Sequence, residues 1–335
     1  MKKTTWAVIG LSALFLAAGL WAGYGYGMSV PRPIPSRVIR ENSADYRFIN
    51  PILLIGFGDK SSFPQYKALE SQIKSFIDKS VAQRDATDVS VYVRDMVDES
   101  WMGVNETEKY TPSSMLKVSI MMAYQKIQEV DPTIMTEKQL YTFKDDPGQN
   151  FKPTHPLATG RYSNADLIKA MIEDSDNTAE EVLSSYILNS ERHNAFAQIF
   201  VDLRMPLPTA TSGPDFLSAQ EYSRLFRALY NGAYLPNSFS EYALDMLSHT
   251  TFDGGLVAGV PAGTTVAHKF GEQTTLDDLT GAVIERQLHD CGIVYKPNDP
   301  YVVCVMTRGT DFSKLKAVIS LISSIVYQNI GKPAR

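Results

Sequence analysis

Thr111-Pro112-Ser113-Ser114-Met115-Leu116-Lys117 runs straight into Val118-Ser119-Ile120-Met121-Met122-Ala123-Tyr124. Pro112 pre-sets φ for a first helical turn and forfeits no needed donor there. The residues that follow are apolar on nearly every side, so the helix they predict is buried through a domain rather than laid on its surface. Ser114 and Lys117 are three apart and share one helix face. Ser114 falls in the first turn, where free backbone N–H groups and the helix dipole favour negative charge. A hydroxyl there, beside an amine that can take its proton, is a workable nucleophile. An N-cap serine followed by a solvated lysine gives the same letters, so the rest of the chain must decide.

The chain has 335 residues, 44% of them hydrophobic, enough for one large domain or two small ones. Net charge is −5, and no dense basic run follows Lys2-Lys3, which argues against a nucleic-acid partner. There are two cysteines and five histidines, without Cys-x-x-Cys or His-x-x-x-His spacing. No metal site and no cofactor are therefore expected.

Lys2 and Lys3 precede an uncharged stretch whose apolar heart is Trp6 to Ala22. Its length suits a bilayer core of roughly 30 Å, and lysines before it place the remainder outside the cytoplasm. Residues 1–28 are expected to be a membrane anchor or, if cleaved, a signal peptide. Residues 29–65, with Pro31, Pro33 and Pro35, read as a linker with a stiff start. Within it, Asn50 to Gly56 is apolar enough to pack on the domain.

The domain is expected over 66–335. Tyr66 to Ile77 has helical periodicity, and Asp88 to Asp95 alternates as a strand. Trp101 to Asn105 returns as its hairpin partner. Residues 140 to 160 read as irregular. Helices follow at Leu167–Met171, capped from Ser163, then at Glu180–Leu188, Phe196–Met205, Leu217–Tyr230 and Tyr242–Leu247. Strands are predicted at Thr264–Gly271, Gly292–Tyr295 and Tyr301–Met306, the last two around a Pro297–Pro300 turn, and Phe312–Tyr327 closes as a helix. This order implies an α+β fold: an antiparallel sheet flanked by N- and C-terminal helices, with an inserted helical subdomain at about 111–247. Centring the hairpin on Pro297–Pro300 sets Ile293 opposite Cys304, so Cys291 and Cys304 become diagonal neighbours and free buried thiols are expected over a disulfide.

Three short signals stand in order: Ser114-x-x-Lys117, Ser175-Asp176-Asn177 and Lys269-Phe270-Gly271. Together they resemble the signature of class A β-lactamases and penicillin-binding proteins. The resemblance covers roughly 66–335 and implies a serine acyl-transfer hydrolase. On it, Ser114 attacks a carbonyl, and Lys117 accepts its proton or tunes the network around it. Ser175 relays a proton to the departing amine, helped by Lys269, whose charge also attracts a substrate carboxylate. Asn177 holds the substrate amide, and Asp176 ties its own loop together. The backbone N–H groups of Ser114 and Glu272 form an oxyanion hole, and Gly271 keeps the strand wall low for substrate. His268, next to the third signal, is expected to point away from the cleft as a structural residue.

Two departures qualify the resemblance. The link Pro206–Pro214 contains no glutamate to activate a deacylating water, and Glu180, Glu181 and Glu221 do not match that position. Phe270 stands where the family usually has a hydroxyl for a substrate carboxylate, and no arginine counterpart is evident. The expected substrate is a β-lactam, a small amide or a cell-wall peptide. A D-alanyl-D-alanine peptidase, or a binding module on the same fold, are the alternatives.

Overall fold

The computed structural model describes residues 38–41, 45–55, 64–207, 209 and 212–331. The sheet grows from strands whose two faces serve different cores. β3 (Asp88–Asp95) pairs with β4 (Trp101–Val104), and five antiparallel strands stand in the order β4-β3-β11-β10-β9. Here β9 is Val266–Leu276, β10 is Val283–Val294 and β11 is Tyr301–Gly309. Alternation sends Val91 and Val93 to one face and Tyr92 to the other. On the Val91 face lie α1 (Lys67–Ala82), through Leu69, Ile73 and Ile77, and the C-terminal helix, through Leu315, Ile319 and Ile322.

The opposite face carries the helical block. A 3₁₀ turn over Ser113–Leu116 leads into α2 (Lys117–Gln128), which is buried along ten of its twelve residues. The all-round apolar sequence thus has the surroundings it requires. Around it stand α3 (Asn164–Glu173), α4 (Asn177–Leu188), α5 (Ala195–Asp202), α6 (Ala219–Tyr230) and α7 (Asn237–Leu247). Capping boxes start α3 at Ser163 and α6 at Ser218. The short pairs Lys109–Tyr110 with Leu217–Ser218, and Lys138–Tyr141 with Gly160–Ser163, tie loops down. The stretch between Tyr141 and Gly160 is irregular, as expected. The chain closes with α8 (Phe312–Asn329), capped by Asp311. Terminal helices on one face and a helical insertion on the other make this the expected α+β layout.

Two expectations need correction. Ile293 faces Val302 rather than Cys304, and Val294 pairs with Tyr301, which centres the turn one residue earlier. Cys291 then lies directly opposite Cys304, their Cα atoms 4.1 Å apart, and the two form a disulfide. The body also starts before Tyr66. Val38–Arg40 pairs with Ile52–Ile55, and Phe48 and Ile49 are buried. The Glu241 carboxylate of α7 accepts the backbone N–H groups of Arg47, Phe48 and Ile49 at 2.7–3.0 Å. Arg40 reaches Glu99 at 2.7 Å. Hydrogen bonds and burial, rather than the prolines upstream, set this boundary. The anchor expected at 1–28 lies outside the described residues; among the described ones, no helix is long and apolar enough to cross a membrane.

Candidate active site

A cleft of about 680 Å³ opens between the 3₁₀ turn, the start of α4 and the β9 edge of the sheet. Ser114, Ser175, Asn177, Glu180, Phe270, Glu272 and Arg286 all line it. Ser114 enters from the 3₁₀ turn rather than from an α-helix. Lys117 is the first α-helical residue, one turn further on.

Lys117 is fully buried, and its Nζ is the hub of the site. It donates to the Ser175 carbonyl at 2.8 Å, to Asn177 Oδ1 at 2.6 Å and to Ser175 Oγ at 3.2 Å. The Glu180 carboxylate lies 3.4 Å away. Burial holds the Lys117 ammonium below the usual lysine range, and Glu180 opposes that shift. An amine so placed can both accept and return a proton. Ser175 sits at φ +55°, in the left-handed region that a side chain seldom adopts, and this aims its carbonyl at Lys117. Asp176 caps α4 by accepting from the Ala179 N–H and the Tyr141 hydroxyl, both at 2.8 Å, so it ties the loop together.

β9 presents Lys269 and Gly271 on the helical-block face and Phe270 on the other. Lys269 is fully buried, and its Nζ has no hydrogen-bond partner among the described residues. Burial, with Lys117 adding repulsion, pushes its ammonium well below the ordinary lysine value. The side-chain bond to Ser175 Oγ comes from Lys117. Phe270 stacks on Phe252, with ring centroids 4.2 Å apart, and meets Phe151 edge-on at 5.7 Å. His268 is buried against Asp290 at 2.8 Å, away from the cleft, as expected.

Gly271 meets the turn that bears Ser114. A Cβ there would lie 2.5 Å from the Pro112 carbonyl and 2.8 Å from Met115 Cγ. The missing side chain lets β9 seat against that turn. This contact brings the Glu272 backbone alongside that turn. The Glu272 side chain reaches outward, accepting the N–H groups of Asn150 and Phe151 at 2.8 and 2.9 Å. Burial pushes its carboxyl up despite these donors. Asp146, on the same loop, accepts from Asn177 Nδ2 at 2.7 Å, and Gln149 donates to the Ser175 carbonyl at 3.1 Å. The loop therefore straps the helical wall to the sheet wall.

Sequence reasoning missed several of these residues. Arg286 of β10 lines the cleft, with its guanidinium 4.9 Å over the Phe312 ring. His289 donates from Nε2 to the Thr111 carbonyl at 3.1 Å and accepts the Thr307 N–H at Nδ1, 3.2 Å away, which fixes its neutral tautomer. Asp215 accepts from the Thr111 hydroxyl at 2.6 Å and pairs with Arg308 at 3.0 Å. Both brace the approach to Ser114. No spacing signal marks them, because each joins the site by strand register or loop return.

A buried amine linking two serine-bearing loops, beside a serine on a tight turn at an open cleft, defines a serine acyl-transfer site. Residues 68–330 match the Beta-lactamase enzyme family, and the chain belongs to it. It is a serine hydrolase of the β-lactamase type. Solved structures share the fold. PBP-A is 19% identical with a TM-score of 0.64, over 81% of this chain and 98% of that one. TLA-3 extended-spectrum β-lactamase is 20% identical with a TM-score of 0.65, over 77% and 98%. The class A β-lactamase from Mycobacterium abscessus is 21% identical with a TM-score of 0.61, over 78% and 98%. No curated protein matches the chain in sequence.

Proposed function

We propose that Ser114 attacks the carbonyl of a β-lactam or of a related cell-wall peptide and becomes acylated. Lys117 accepts the Ser114 proton and returns it through the Ser175 hydroxyl to the departing nitrogen, while Lys269 supports Ser175 by charge. Asn177 orients the substrate amide, and the N–H groups of Ser114 and Glu272 receive the oxyanion. Arg286 attracts a substrate carboxylate in place of the hydroxyl that Phe270 lacks. The observation that carries this reading is the Lys117 amine, fully buried yet within 3.2 Å of both Ser175 Oγ and Asn177 Oδ1. A lysine with no chemical role is normally left in water.

A peptidase reading has its own support. The link Pro206–Pro214 lacks the glutamate that speeds β-lactam turnover, and a mutant of PBP-A, which shares the fold, has been solved as an acyl-enzyme complex with penicillin G. We also place the domain outside the cytoplasm. Lys2-Lys3 ahead of the Trp6–Ala22 run and the Cys291–Cys304 disulfide support this. Intact-mass measurement with penicillin G tests the site. The wild-type chain is expected to gain one adduct, which Ser114→Ala abolishes; equal labelling of the variant would sink the assignment.

A further inference from the structure

The chain lacks a glutamate in the link where the resemblance expects the deacylating base, yet a carboxylate stands at Lys117. Glu180 lies in the first turn of α4, three residues past Asn177. Its Oε2 is 3.4 Å from Lys117 Nζ, and its side chain is 32% exposed and lines the cleft with Ser114. Lys117 itself is sealed, so Glu180 is the member of this pair that water reaches. The other carboxylates around Lys117 are committed. Asp176 caps α4 and accepts from Tyr141; Asp146 accepts from Asn177 and from the Gly148 N–H. The Glu180 side chain has no hydrogen bond besides its link to Lys117 among the described residues. It also stands where the cleft meets an apolar groove lined by Leu116, Ile120, Ile187 and Phe196. Glu180 thus borders the groove on one side and the cleft on the other.

Resting on the acyl-enzyme reading above, the geometry points to Glu180 as the base that deacylates Ser114. Glu180 takes a proton from a water molecule as the water oxygen bonds to the ester carbonyl carbon. The tetrahedral species then breaks its bond to Ser114 Oγ, as the Glu180 proton passes across the 3.4 Å contact to the Lys117 amine and from there to Ser114 Oγ, which restores all three groups. Ester and water become acid and serine, with every proton accounted for.

The test follows the full-length protein and its Glu180→Gln variant by intact mass, with penicillin G and separately with an acyl thioester. The variant is expected to acylate within about tenfold of wild type while its adduct decays about 100-fold more slowly or worse, the range that general-base help supplies. Glu180→Ala must show the same split. Unchanged decay in the variants, or acylation falling in step with decay, overturns the role of Glu180. So does a wild-type adduct that never decays, although acyl transfer at Ser114 then survives. Absence of any adduct from both probes overturns the acyl-enzyme reading and this role with it.

Discussion

His289 shows how one buried ring reaches the site through the backbone. Its Nδ1 accepts the Thr307 N–H, so a second ring proton would break that bond, and burial holds its pKa at about 3 against an ordinary 6.5. The unfolded chain takes up this proton below about 6.5 and the native chain refuses it. Stability from this group is thus whole above that pH and drains away as pH falls toward 3, at roughly 1.4 kcal/mol per pH unit. His289→Gln has no such proton to refuse. Its urea midpoint is expected to change less between pH 7 and pH 4.5 than that of wild type; parallel shifts would refute the linkage.

At the scale of elements, the strap from Asp146 to Phe151 depends on one carboxylate. Glu272→Ala removes the acceptor of two backbone N–H groups. Hydrogen exchange at the Asn150 and Phe151 amides is expected to speed up at least tenfold, while the core amides of β10 and β11 keep their protection. Equal protection in the variant would show the loop to be held elsewhere. Local patterns made much of this architecture legible in the sequence. The apolar run of α2, the Ser163 cap and the alternation of β3 each depend on neighbours a few residues away. Ser114, Lys117, Ser175 and Asn177 were readable for the same reason: each sits where a turn becomes a helix. The hairpin register was not, because a turn shifted by one residue looks the same in composition and still decides whether Cys291 meets Cys304. Glu180 stayed hidden because its meeting with Lys117 depends on how α4 packs on α2, which no single stretch encodes.

Across the whole molecule, opposite charges close the fold around its entry. Glu99, almost fully buried, faces Arg40 at 2.7 Å, Arg94 at 3.2 Å and Arg227 at 3.4 Å, drawing together the N-terminal segment, β3 and α6. The Cys291–Cys304 disulfide locks the two central return strands. These links hold a body that buries a second amine beside the site. Lys269 is fully buried and its Nζ has no hydrogen-bond partner among the described residues, and an unmet buried polar group costs roughly 1–3 kcal/mol. Lys269→Met keeps the volume and removes the amine, so the variant is expected to melt higher than wild type and to lose acylation. Its advantage should shrink as pH rises toward 10.5, where the wild-type amine sheds its proton in both states; thermal melts at pH 7 and pH 10 check this. Robustness and reactivity are therefore opposed at one residue, and a screen for heat resistance alone would drive this enzyme toward an inert form.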